Sequence, residues 1–86
     1  MKIKVTQPKT EFASQGVTII IDDIRFDLGP GDSKEVETDV SPCEIRAWCG
    51  SFDKKMIVRS DAEITILWDV ANLDMRLDWK AYNKRK

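Results

Sequence analysis

Histidine is absent from this chain, which removes the side chain that titrates nearest neutral pH and the commonest transition-metal ligand. Cysteine occurs only at Cys43 and Cys49, with neither a C-x-x-C spacing nor a histidine to complete a zinc site. No metal and no cofactor are expected. Both cysteines fall in the run SPCEIRAWCG, which reads as one strand. At about 3.3 Å per residue their Cα atoms stand roughly 20 Å apart, far beyond disulfide reach. The expectation is two buried, inert thiols in a reducing compartment.

Other absences narrow the reading further. No stretch keeps apolar spacing of three and four long enough for a helix. The start, MKIKVTQPK, lacks the apolar run of a signal peptide, and no later segment is long enough to span a bilayer. A cytoplasmic protein without a membrane span is expected, secreted only if a leader has been removed. The formal net charge is −1, so there is no domain-wide field for nucleic acid or membrane. Charge is nevertheless uneven: eight acidic residues lie between Asp22 and Glu44 against Arg25 and Lys34, whereas Lys80, Lys84, Arg85 and Lys86 make a basic tail. Gly29-Pro30-Gly31 has neither a following helix nor a lysine at Walker spacing, so it reads as a turn and not a phosphate cradle.

What is present is period-two alternation. Hydrophobic residues make up 42% of the 86 residues and charged ones 34%, enough for one core in a single domain that buries only about 60 to 65% of its unfolded surface. The stretch VTIIIDDIRFDLGPG, Val17 to Gly31, predicts a hairpin with arms Val17 to Ile21 and Ile24 to Leu28, turning at Asp22 and Asp23. Its first arm has little polar relief and is expected mid-sheet. Lys2 to Thr6 predicts a strand whose lysines and following proline suit an edge, and Phe12 is expected to tuck over the core. Ser33 to Val40 alternates Val36, Thr38 and Val40 with acids. Cys43, Ile45, Ala47 and Cys49 form an inward row, with Glu44, Arg46 and Trp48 outward. Lys55 to Arg59 and Glu63 to Val70 follow, and a last strand places Leu73, Met75, Leu77 and Trp79 inward. Trp68 and Trp79 are both assigned to the core. Seven or eight short strands joined by tight turns predict an all-β, antiparallel sandwich, Ig-like in architecture.

Candidate chemistry is sparse. Asp22 and Asp23, adjacent at a hairpin corner, fit turn hydrogen bonds better than a carboxylate pair, since neighbours in a strand face opposite ways. A small carboxylate enzyme would need two of Asp22, Asp23, Asp27 and Asp32 to converge in a cleft. Trp48 is placed on a charged outer face beside Glu44 and Arg46, where an exposed indole could stack on a sugar, a base or a partner; cover by another strand, the Phe52 loop or Tyr82 is the alternative. The tail, with Tyr82, Lys84, Arg85 and Lys86, could touch phosphate or an acidic surface, or stay solvated.

From Val17 to Ala47 the pattern VTIIIDDIRFDLGPGDSKEVETDVSPCEIRA resembles the PEGA-like family of small β-sandwich domains. In that family a strand ending in an aspartate-glycine turn leads to a short strand, a glycine turn, a third strand and a proline- or glycine-containing turn. The chain departs at Asp23, where the turn glycine would stand, at Cys43, where a histidine often stands, and in lacking the PEGA tetrapeptide. The resemblance implies a non-catalytic sandwich, usually an accessory module of a larger bacterial envelope protein. Because the chain lacks histidine, a metal constellation and any nucleophile with a partner, the expected function is a non-enzymatic interaction module that binds a protein or self-associates through a sheet edge at Glu35 to Val40 or Leu73 to Trp79. Sugar or nucleic-acid binding through Trp48 and the tail is the alternative.

Overall fold

Alternating sequence produces alternating burial along nearly every strand of the computed structural model, which describes residues 1–9, 15–69, 71–72 and 74–82. Among the described residues there are eight strands and no helix: β1 (Lys2–Thr6), β2 (Val17–Ile21), β3 (Ile24–Leu28), β4 (Ser33–Glu37), β5 (Cys43–Cys49), β6 (Phe52–Val58), β7 (Ala62–Asp69) and β8 (Asp74–Ala81). They form two four-stranded sheets, β4-β1-β7-β8 and β3-β2-β5-β6. The core between them holds Ile3, Val5, Ile19, Ile21, Ile45, Ile64, Ile66 and Met75, all essentially inaccessible. The fold is the expected β-sandwich, and among the described residues no helix is long and apolar enough to cross a membrane.

The hairpin forms as read. β2 lies inside its sheet, between β3 and β5, and its outward Ile20 is only half-buried. Asp22 carries φ 58°, a left-handed conformation that aspartate tolerates better than most side chains. The inward row Cys43, Ile45, Ala47 and Cys49 is buried, with Glu44, Arg46 and Trp48 outward. Both cysteines are free.

Four expectations are corrected. β1 is not an edge but lies between β4 and β7. Lys2 and Lys4 project from the outer face toward acidic neighbours: Lys2 pairs with Glu37 in register, and Lys4 with Glu35 and Glu63. The sandwich is also not antiparallel throughout, since β1 runs parallel to β7; no hairpin joins them, so no turn forces opposite directions. Val40 lies outside β4 and is exposed, because the Val40 N–H donates to Thr38 Oγ1 at 3.1 Å and turns the chain off the ladder. Trp79 is not in the core but 47% exposed. It shares the inward side with Met75 and Leu77, but β8 is the outermost strand, and the cleft it shares with β6 is lined by Met75, Arg76 and Leu77 and not by Trp79.

Smaller shifts concern ends. β6 begins at Phe52 and stops at Val58, before Arg59, and β7 runs from Ala62 to Asp69. Expectations for Phe12, Val70, Leu73, Lys84, Arg85 and Lys86 lie outside the described residues.

Candidate functional site

The outer faces of the two sheets differ in chemistry. On β4-β1-β7-β8, opposite charges face one another across the strands: Glu35 beside Lys4, Lys4 beside Glu63, and Glu63 beside Lys80. Glu63 carboxylate oxygens lie 4.0 Å from the Lys4 ammonium and 3.3 Å from that of Lys80. Tyr82 belongs to this face, its hydroxyl donating to Glu35 Oε1 at 3.1 Å. Desolvation and then that bond raise the phenol above its ordinary pKa. Around Glu63 this is a surface of paired charges, with Leu67 exposed farther along β7 beside Arg76.

The outer face of β3-β2-β5-β6 retains apolar groups. Strand register sets Asp27, Thr18, Trp48 and Asp53 in one row and Arg25, Ile20, Arg46 and Lys55 in the next. Glu44 lies opposite Ile57 in a third. Trp48 is 43% and Ile57 51% exposed, so Trp48 is not covered. Phe52 packs edge-on against Trp68, with ring centroids 5.6 Å apart, and Tyr82 lies across the sandwich.

Local bonds hold Trp48 and its neighbours in place. The β5–β6 turn needs Gly50, whose φ is 59°, and the turn returns the Gly50 carbonyl to accept the Trp48 indole N–H at 3.0 Å. Beside the ring, Arg46 donates through Nε and Nη2 to both oxygens of Asp53, at 2.9 and 2.6 Å. That bidentate bond raises the guanidinium pKa further and holds the Asp53 carboxyl below the usual carboxylate range. On the other side the Thr18 hydroxyl donates to Asp27 at 2.8 Å. A shallow cleft of ≈360 Å³ adjoins Arg46, lined by Ile20, Asp22, Val40, Cys43 and Glu44. Burial, followed by the charge of Asp22, pushes the Cys43 thiol above its ordinary pKa, which disfavours the nucleophilic thiolate.

The four candidate aspartates take separate positions. Asp22 and Asp23 sit exposed at the hairpin turn. Asp27 accepts from Thr18, and Asp32 accepts the Gly29 N–H at 2.9 Å. Among the described residues no group of three potential ligands is placed to hold a metal ion. Of the expected binding residues, Trp48, Arg46 and Glu44 share this face, whereas Tyr82 lies on the opposite one.

Sequence reasoning missed Ile57, Arg25 and Lys55 as members of this face. Their signal was two-residue spacing opposite Glu44, Ile20 and Arg46, which becomes usable only once register is known. Comparison with protein-family models, curated proteins and solved structures returned no match.

Proposed function

We propose that this protein is a non-enzymatic interaction module whose β3-β2-β5-β6 outer face, centred on Trp48, docks a protein partner. The observation that carries the reading is the pair of large apolar side chains, Trp48 and Ile57, 43% and 51% exposed on one outer face, where the described residues of the opposite outer face expose Leu67, at 36%, among paired charges. Trp48 at one end and Ile57 at the other flank Arg46, with Ile20 and Val40 beside it. An aromatic anchor and an arginine among aliphatic groups, inside a rim of both charge signs, fit the usual make-up of a binding hot spot. The anchor is ordered before binding, which lowers the entropy cost of docking.

The same features rank the alternatives. Arg25, Arg46 and Lys55 are offset by Asp27, Glu44 and Asp53, so the face lacks the positive excess that phosphate recognition needs. A sugar could stack on Trp48 between Thr18 and Asp53, but it has little use for the aliphatic Ile57 and Val40. The PEGA-like resemblance supports an accessory role of this kind.

The test is affinity capture with wild type, Trp48→Ala, Ile57→Lys and, on the opposite face, Lys80→Ala, each confirmed folded by circular dichroism. A protein held by wild type and Lys80→Ala should be held at least about tenfold more weakly by either of the other two variants. Equal capture by all four contradicts the reading. Binding to a glycan array that is lost in Trp48→Ala but kept in Ile57→Lys identifies a sugar ligand instead.

A further inference from the structure

We propose that a second copy of this chain pairs with β8, antiparallel and in register about a two-fold axis through Leu77, joining two β4-β1-β7-β8 sheets into one of eight strands. The inference is independent of the Trp48 face. β8 is the outermost strand of its sheet and, at eight residues, is longer than either β3 or β4. Its free backbone groups can be assigned. The Tyr82 N–H donates to the Asp61 carbonyl at 3.2 Å, across the β7–β8 ladder. Backbone groups alternate sides along a strand, so even-numbered residues of β8 bond β7 while Met75, Leu77 and Trp79 turn theirs to the open edge. Met75 bears this out: its N–H is taken by the Asp74 carboxylate at 2.8 Å and not by β7.

Charge then selects the register. With Leu77 opposite Leu77 of the second copy, Arg76 faces Asp78 and Asp74 faces Lys80, each pair twice by symmetry. On the other side Met75 faces Trp79, which covers the indole that one sandwich leaves 47% exposed. Sliding the centre to Arg76 or Asp78 sets that residue against itself and brings further like charges together. Pairs of opposite charge stabilise directly facing positions, and like charges destabilise them. The Met75 N–H passes from Asp74 to the carbonyl of Trp79 of the second copy, and the Asp74 carboxylate, which Lys54 of the same copy holds at 3.2 Å, gains Lys80 of the second copy as a further partner.

The other edges are less suited to pairing with themselves. β4 presents Glu35 and Glu37, so like charges meet. β6 carries Lys54 and Lys55. β3 has only five residues, its Leu28 carbonyl already accepts the Gln7 side-chain amide at 2.7 Å, and Asp27 is held by Thr18.

The experiment is sedimentation equilibrium at low salt on wild type, Arg76→Asp, Asp78→Arg and an equimolar mixture of these two variants, with circular dichroism as a check on folding. Wild type should dimerise at tens of micromolar, and more weakly as salt is raised. Each single variant meets itself with like charge and should associate at least about tenfold more weakly. In the mixture opposite charges face again at every such position, so dimer should return. A monomeric wild type overturns the proposal. So do single variants that dimerise like wild type, or a mixture that stays monomeric. Should either charge variant fail to fold, Trp79→Pro, which removes an edge-facing N–H and the exposed ring while leaving the β7 ladder intact, must abolish the dimer.

Discussion

At the scale of single residues, Gln7 is the least expected member of the core. It is fully buried, where an amide is stable only if its groups are bonded. Oε1 accepts the Trp68 indole N–H at 2.8 Å, and Nε2 donates to the Leu28 carbonyl at 2.7 Å. One side chain thus ties β7 in one sheet to β3 in the other. Gln7→Leu keeps the volume but removes the partner of a half-buried indole donor and of the buried Leu28 carbonyl, so it should cost about 1 to 3 kcal/mol in urea unfolding. A loss under 0.5 kcal/mol would show that water replaces the amide.

Titration is legible at the same scale. Hydrogen bonds lower Asp53 through Arg46 and Asp69 through Asn72, from an ordinary value of 3.8. A carboxylate with a depressed folded pKa contributes stability above its unfolded value and loses it as pH falls through the folded one. Both groups are exposed, so the effect is small. Urea midpoints should decline below about pH 4, less steeply in Asp53→Asn; an identical acid limb in that variant contradicts the assignment. Cys43 acts in the opposite sense. Its folded pKa is raised above 9.0 by burial, so its contribution is intact below that value and is lost as pH rises through the raised one. Iodoacetamide should therefore spare Cys43 in the native protein near pH 8 and modify it in urea.

At the scale of elements, the turns carry the most local information. Gly50 has φ 59° and an open space where a Cβ would go, so Gly50→Ala meets no clash and isolates the backbone cost. It should destabilise the fold by about 1 to 2 kcal/mol and loosen the Trp48 indole bond, visible as a change in its fluorescence. An unchanged urea midpoint would mean the turn has relaxed. Strand positions such as Cys43 to Cys49 were readable because burial on one face forces a period of two. What failed were inferences about neighbours. Lysines in β1 look like edge protection until β4 and β7 bring glutamates beside them. Trp79 obeys the inward alternation, yet on the edge strand β8 it is left 47% exposed. The Gln7 tie joins residues remote in the chain, and no local pattern announces it. Of the candidate site, the outward positions of Trp48, Arg46 and Glu44 were legible, and their neighbours across the strands were not.

At the scale of the whole molecule, the two sheets differ in how the chain builds them. The β3-β2-β5-β6 sheet comes from residues 17–58, with two-residue turns closing β2–β3 and β5–β6. The other sheet joins β1 from the N-terminal end and β7 and β8 from the C-terminal end to β4 from inside that span, pairing Ile3 with Ala62 and Val5 with Ile64 in the parallel β1–β7 ladder. Closing a long loop costs more entropy than closing a short one, and it must be closed before the distant contacts can form. The nearer sheet should therefore organise the folding transition state, with the termini docking afterwards. Conservative truncations separate the two: Ile19→Val and Ile45→Val probe the first sheet, Ile3→Val and Ile64→Val the second. All four side chains are fully buried, so each should cost about 0.5 to 1.5 kcal/mol. In stopped-flow chevrons the first pair should mainly slow folding, with φ-values about 0.5 or higher, and the second pair should mainly speed unfolding, with φ-values about 0 to 0.3. Comparable φ-values in both sheets, or higher ones for Ile3 and Ile64, would mean that the parallel β1–β7 ladder forms early despite its loop, and that sequence separation does not order the assembly of this sandwich.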